Sequence, residues 1–330
     1  MTLATVLLTD PMHPEARAHL EKHAHVTMLP EGETGAAAEA SLRRMLGDAD
    51  ALIVRRLLPD DLFDTPGRLK AVVRQGVGLD FIPVQRATFA GLPVANTPAV
   101  NANAVAEYVF ASLLGASRQL AWFDRQVRDG HWQARREAGA RTFDLRGRKL
   151  GIVGYGAIGR RIGEIASAGF GMRLLSHTST PSKLPPTIEA VSLQGLFEAC
   201  DFVVVACPLT AATRGMVDRQ VLAHAKAGCV LVNVGRGPVI NEGDLADALD
   251  AGKLAGAVLD VFENQPLPAT SRLRNHPGVT LTPHVAGITQ DAERAMGLLA
   301  ADTALALVRG ERPGNVVNPE VWVNTESSAA

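Results

Sequence analysis

At 330 residues, with 47% hydrophobic and 20% charged side chains, the chain is long enough for two domains with their own cores and too apolar to be disordered. A net charge of −1 without any long basic run argues against a nucleic-acid partner. No apolar stretch reaches the length that spans a bilayer, and no basic segment followed by an apolar core opens the chain, so a cytoplasmic protein is expected. Its three cysteines, Cys200, Cys207 and Cys229, lie in or beside apolar segments and read as buried free thiols rather than a disulfide framework. Residues 5–9, 26–29, 51–54, 71–74 and 93–95 read as short strands, separated by helical patterns such as 15–22 and 36–46. Continuous apolar strands alternating with helices predict a parallel sheet covered on both faces. A long Ala- and Leu-rich helix follows over 101–119, then a charged stretch, 122–141, that holds two of the three tryptophans. A second alternating series has strands at 150–153, 173–176, 202–206, 230–234, 257–261 and 279–281, which suits a doubly wound sheet. A last helix is expected over 289–308, broken by Pro313-Gly314-Asn315, with a polar tail at 324–330.

Chemistry-bearing segments sit where these strands end. Gly154-Tyr155-Gly156-Ala157-Ile158-Gly159 follows the strand 150–153 and precedes a helix, which is the context that makes G-x-G-x-x-G a dinucleotide loop. Gly154 permits the tight turn, Gly156 lets the backbone approach a pyrophosphate, and Gly159 lets helix and strand pack closely. The helix start at Ala157 and Ile158 offers N–H groups and a positive dipole end to the phosphates. An NAD site usually places Asp or Glu at the end of the next strand to hold the ribose hydroxyls. Here that place reads His177-Thr178-Ser179-Thr180, without an acid. An adenosine 2′-phosphate meets no repulsion there, so NADP(H) is favoured over NAD(H).

Three further segments carry charged or titratable side chains: Asn233-Val234-Gly235-Arg236-Gly237, Asp260-Val261-Phe262-Glu263 and Thr282-Pro283-His284-Val285-Ala286-Gly287. Reducing a 2-oxo acid needs a cation to fix the carboxylate, an acid to protonate the emerging alkoxide, and a partner that keeps that acid charged. Arg236 suits the first role because its planar fork binds a carboxylate bidentately. His284 suits the second and Glu263 the third. None of the histidines forms a ligand set with nearby thiols or acids, so no metal site is expected.

Taken in this order, these segments closely resemble the D-isomer-specific 2-hydroxyacid dehydrogenase family over nearly the whole chain. Where that family often has a second acid, two residues after Glu263 and before proline, this chain has Asn264-Gln265-Pro266. The resemblance implies two doubly wound parallel-sheet domains, a Rossmann cofactor domain over 100–287 and a flavodoxin-like substrate domain over 1–99 and 288–330, with a cleft for substrate. It implies catalytic roles for Arg236, Glu263 and His284. It also implies substrate contacts from the backbone of Val77 and Gly78, in Arg74-Gln75-Gly76-Val77-Gly78-Leu79-Asp80, with Arg55 as a further candidate. Cofactor contacts are implied for Val105, Cys207, Pro208, Thr213, Val234, Asp260 and Gly287. The family commonly forms homodimers through the region 122–141, whose tryptophans suit an interface anchor. The expected reaction is reduction of glyoxylate or hydroxypyruvate. Phosphoglycerate oxidation, phosphite oxidation and a dinucleotide-sensing corepressor are the alternatives.

Overall fold

The computed structural model describes residues 3–322, so the polar tail 324–330 lies outside the described residues. The chain divides into two compact units, one of Met1–Asn101 with Ile288–Ala330 and one of Ala102–Gly287.

The first unit is built on five strands: β1 (Ala4–Leu8), β2 (Ala24–Met28), β3 (Ala51–Val54), β4 (Ala71–Arg74) and β5 (Val94–Ala95). All pair in parallel, in the order β2-β1-β3-β4-β5. The connections carry α1 (Pro14–Glu21), α2 (Gly35–Leu46) and α3 (Val84–Phe89). Successive residues of β3 are all buried, as they must be in a strand covered on both faces. Side chains of alternate parity build two separate cores. Val6, Leu8, Ile53 and Val73 enter one; Leu7, Leu52, Val54, Phe63 and Val72 enter the other.

In the second unit, α4 (Ala102–Arg118) leads into α5 (Leu120–Arg128) and α6 (Ala134–Ala138). The single helix expected over 101–119 ends one residue early, because Gln119 takes a left-handed conformation (φ 51°) that turns the chain into α5. Seven strands follow: β6 (Lys149–Val153), β7 (Arg173–His177), β8 (Glu189–Ala190), β9 (Phe202–Val205), β10 (Val230–Asn233), β11 (Gly256–Leu259) and β12 (Val279–Leu281). Between them lie α7 (Ala157–Phe170), α8 (Leu193–Ala199), α9 (Arg219–Ala223) and α10 (Glu242–Asp250). The sheet is wholly parallel, ordered β12-β11-β10-β9-β6-β7-β8. The two doubly wound α/β sheets expected from the alternation are therefore present, with no closed barrel. Only β8 had no apolar signal, since its two residues are exposed.

The last helix, α11 (Gln290–Val308), belongs to the first unit and packs on α1, β3 and β4. Thr289 caps it by accepting from Ala292 N, and Ala300, Ala301 and Ala304 are fully buried against the core. Among the described residues, no helix is long and apolar enough to cross a membrane, and no group of three or more His, Cys, Asp or Glu is arranged to hold a metal.

Candidate active site

In the second unit, strand register fixes where the chemistry sits. His177, Val153, Val205, Asn233, Leu259 and Leu281 end six consecutive neighbours of the sheet and lie opposite one another across the ladder. The segments after these residues, which hold the glycine loop, Cys207, Arg236, Asp260 and His284, therefore share one edge. Ligands of open parallel sheets bind at that carboxyl edge.

The glycine loop fits a dinucleotide on its own geometry. Gly154 has φ 91°, and a Cβ there would lie 2.7 Å from Cys207 Cα, so no larger residue fits without moving the next strand. A Cβ on Gly156 would meet nothing within 4 Å, leaving open space where α7 begins. Its N-cap has no side-chain partner, so the first-turn N–H groups of Ala157 and Ile158 are presented bare to a phosphate. At the end of β7, His177 Nδ1 lies 3.1 Å from Val191 O, and Thr180 N donates to Thr178 Oγ1 at 3.3 Å. Ser179 is exposed.

Other expected cofactor contacts have partners of their own. Cys207 is buried, and burial pushes its thiol up to about 11; the thiols of Cys200 and Cys229 are pushed to about 12 for the same reason. Thr213 closes the turn after β9: its hydroxyl donates to Pro208 O at 2.8 Å and accepts from Thr210 N at 2.8 Å. Val105 and Val234 are core residues beneath the sheet edge. Gly287 is the last residue of this unit.

Asn233 explains how Arg236 is positioned. Its amide oxygen accepts from Gly235 N at 3.1 Å and its nitrogen donates to Arg236 O at 3.2 Å, so one side chain staples the turn. Arg236 Nη1 donates to Gly235 O at 2.8 Å. Gly237 is obligatory, because a Cβ there would sit inside the backbone of Phe262 and Glu263. The Arg236 turn thus lies directly against the segment after β11.

His284 sits at φ 59°, a conformation that a residue with a Cβ adopts only when its surroundings impose it. Asp260 imposes it. That carboxylate, 1% exposed, accepts from Thr282 Oγ1 at 2.6 Å, Val285 N at 2.8 Å and Ala286 N at 2.9 Å. Because Thr282 donates to Asp260, Tyr108 O–H must donate to Thr282 Oγ1, at 2.6 Å. His284 N bonds Asp260 O and Thr282 O at 2.9 and 3.0 Å. Asp260, expected to contact the cofactor, has its carboxylate on the histidine loop.

Glu263 and Glu242 exchange backbone bonds. Glu263 N donates to Glu242 Oε1 at 2.6 Å, and Glu242 N donates to Glu263 Oε1 at 3.3 Å. Burial, and then the nearby Glu263 charge, raise the Glu242 carboxyl above its ordinary range. The side chain at His284 Nδ1 is that of Gln265, whose Nε2 lies 3.2 Å away. Gln265 stands where the family often has its second acid, before Pro266.

In the first unit, the turn after β4 is braced through its acceptors. Gly76 O accepts from Thr97 N at 3.1 Å, Val77 O from Asn96 Nδ2 at 2.8 Å, and Gly78 O from Arg74 Nε at 3.2 Å. Arg74 also donates to Val54 O and stacks 4.5 Å from the Phe81 ring centre. Among the described residues, no hydrogen bond engages the N–H groups of Val77 and Gly78. Three carbonyls are thus held from behind, with the adjacent N–H groups open. Arg55 departs from expectation. Its guanidinium holds both oxygens of Glu293 on α11, at 2.9 and 2.7 Å, and donates to Pro11 O, so it braces the helix.

Residues 110–286 match the family model described as D-isomer specific 2-hydroxyacid dehydrogenase, NAD binding domain. The chain is 38% identical over 280 residues to a glyoxylate reductase of Korarchaeum cryptofilum, covering 83% of this chain and 84% of that one. It is 34% identical to a D-3-phosphoglycerate dehydrogenase of Methanocaldococcus jannaschii over 96% of this chain and 60% of the relative. Among solved structures, an NADPH-dependent glyoxylate/hydroxypyruvate reductase from Sinorhizobium meliloti, in complex with NADP and malonate, superposes with a TM-score of 0.81. That structure is 31% identical and covers 96% of this chain and 98% of its own.

Proposed function

The chain belongs to the D-isomer specific 2-hydroxyacid dehydrogenase family, a family of nicotinamide-dependent oxidoreductases, and from that premise we propose that it reduces glyoxylate or hydroxypyruvate with NADPH. The observation that carries the reading is the register of the seven-stranded sheet, which sets the glycine loop, Arg236 and His284 along one edge. A nicotinamide dinucleotide held at the glycine loop would supply the hydride. Arg236 holds the 2-oxo acid's carboxylate through two parallel N–H···O bonds and draws charge toward the carbonyl oxygen. His284 uses Nδ1 on Gln265, so Nε2 is the nitrogen that gives its proton to the forming alkoxide. In the first unit, we assign the N–H groups of Val77 and Gly78 to carboxylate binding. Glu263 sits beside this machinery, with its Oε1 on Glu242 N.

NADP(H) is the favoured cofactor because residues 177–180 are His, Thr, Ser and Thr, with no carboxylate to repel a 2′-phosphate. The hydroxyls of Thr178 and Ser179, with Lys183 in the following turn, supply donors. Initial rates with glyoxylate and hydroxypyruvate against NADPH and NADH test both parts. Turnover of neither acid with either cofactor would overturn the activity. In the same assay, Thr178→Asp should weaken NADPH by ~1–3 kcal/mol through Coulomb repulsion and lost hydrogen bonds. NADH should hold or improve, since a carboxylate there accepts from the ribose. A parent that strongly prefers NADH would defeat the cofactor assignment alone.

A homodimer is part of the proposal. No residue of α5 is buried, and Leu120, Trp122, Val127 and Trp132 expose 67%, 41%, 55% and 63% of their surface in this one segment. Light scattering at micromolar concentration should return about twice the 34.9 kDa chain mass, and a monomer mass would contradict the assignment. The buried, protonated thiols suit a reducing compartment, so we place the protein in the cytoplasm.

A further inference from the structure

We propose that Asn96 is a positioning residue that aims the N–H group of Gly78 at the substrate carboxylate, and that the segment after α11 holds Asn96 in place. The inference rests on the assignment of the Val77 and Gly78 N–H groups to that carboxylate and extends it to how they are directed.

A trans peptide is planar, so its C=O and its N–H point in opposite directions. The peptides of this turn are trans. Holding the carbonyl of one residue therefore fixes the direction of the next residue's N–H. Gly76 O accepts from Thr97 N at 3.1 Å, which directs the N–H of Val77. Val77 O accepts from Asn96 Nδ2 at 2.8 Å, which directs the N–H of Gly78. A carbonyl only accepts, so the amide nitrogen of Asn96 is the atom that faces it. Thr97 grips Gly76 a second time, because its Oγ1 accepts from Gly76 N at 2.9 Å. The two N–H groups thus have separate keepers, and the keeper of Gly78 is a single side chain.

Asn96 follows β5, a strand of two residues at the edge of its sheet, which has few hydrogen bonds of its own to fix what comes next. The segment after α11 supplies the missing neighbour. Val316 bridges Ala95 in antiparallel fashion, Val317 N donates to Val94 O at 2.8 Å, and Asn318 Oδ1 accepts from Val94 N at 2.7 Å. Asn315 then clamps the backbone of Asn96. Its carbonyl accepts from Asn96 N at 3.3 Å, and its Nδ2 donates to Asn96 O at 2.7 Å. The same Nδ2 also donates to Thr303 Oγ1 on α11 at 3.0 Å, and Thr303 is buried. Thr303, Asn315, Asn96 and the Val77–Gly78 peptide are therefore joined by one run of hydrogen bonds. Through it, the return of the chain to the first unit bears on where a carboxylate is held.

Malonate is a carboxylate probe that needs no turnover. With the preferred dinucleotide bound, saturating malonate should shift the amide resonances of both Val77 and Gly78 in the parent. In Asn96→Ala the Gly78 shift should largely disappear while that of Val77 is retained. The malonate Kd should rise about 3–10-fold, the effect of losing one net hydrogen bond. KM for the 2-oxo acid should rise with it, while kcat and the dinucleotide Kd stay nearly unchanged. Asn315→Ala leaves residue 96 intact and should give the same pattern with smaller amplitude, so it decides the matter if Asn96→Ala does not fold. A parental Gly78 response in these variants would overturn the proposal. Equal losses at Val77 and Gly78 would overturn it too, since they would report a loosened turn and not one redirected peptide. No response of either amide in the parent would instead remove the carboxylate assignment itself.

Discussion

His284→Asn should lower kcat by about 10²–10⁴-fold while leaving NADPH binding nearly unchanged, because it removes a proton donor that acts only as the alkoxide forms. Asparagine is the informative replacement. The backbone at 284 has φ 59°, and Asn tolerates that region better than Ala, so lost activity reports chemistry rather than a collapsed loop. Stopped-flow single turnovers, alongside cofactor titration by fluorescence, separate the two. A variant with parental single-turnover rates would remove His284 from the mechanism and leave the family assignment intact.

Arg236→Lys should raise KM and lower kcat together, for a combined loss of about 10–100-fold in kcat/KM. The charge survives, but one of two charge-assisted hydrogen bonds worth about 1.5–3 kcal/mol each is lost. The turn itself should persist, because Asn233 staples it through the backbone of Gly235 and Arg236 and not through the guanidinium. Steady-state constants for glyoxylate, with malonate as a carboxylate competitor, provide the check. If both constants match the parent, bidentate recognition is wrong.

Much of the fold could be read from apolar runs. Strands such as β3 and β9 are buried at every residue, and a buried parallel strand is apolar on both faces. The sites were legible because they follow those runs directly: the glycine loop after β6, Arg236 after β10, His284 after β12. Sequence spacing was weaker at direction. Glu263 and Gln265 are two residues apart on an irregular segment, and spacing alone does not show that the Gln265 amide comes within 3.2 Å of His284 Nδ1. Asp260 was assigned through the family resemblance, and nothing in local spacing shows that its carboxylate, 1% exposed, is satisfied by the N–H groups of the histidine loop. Arg55 likewise ends a strand, and its partner Glu293 lies 238 residues away, beyond the reach of local pattern.

The Asp260 carboxylate has a consequence for the timescale on which the proton donor can move. Loops on protein surfaces ordinarily open by themselves, at little cost and often. Here, lifting 282–286 off its anchor would strand a buried carboxylate stripped of three donors, so that opening is expensive. The amide protons of Val285 and Ala286 should therefore exchange as slowly as those of β11, which hydrogen–deuterium exchange would check. A residue that must be placed to within a fraction of an ångström has been given the permanence of the sheet instead of the restlessness of a loop.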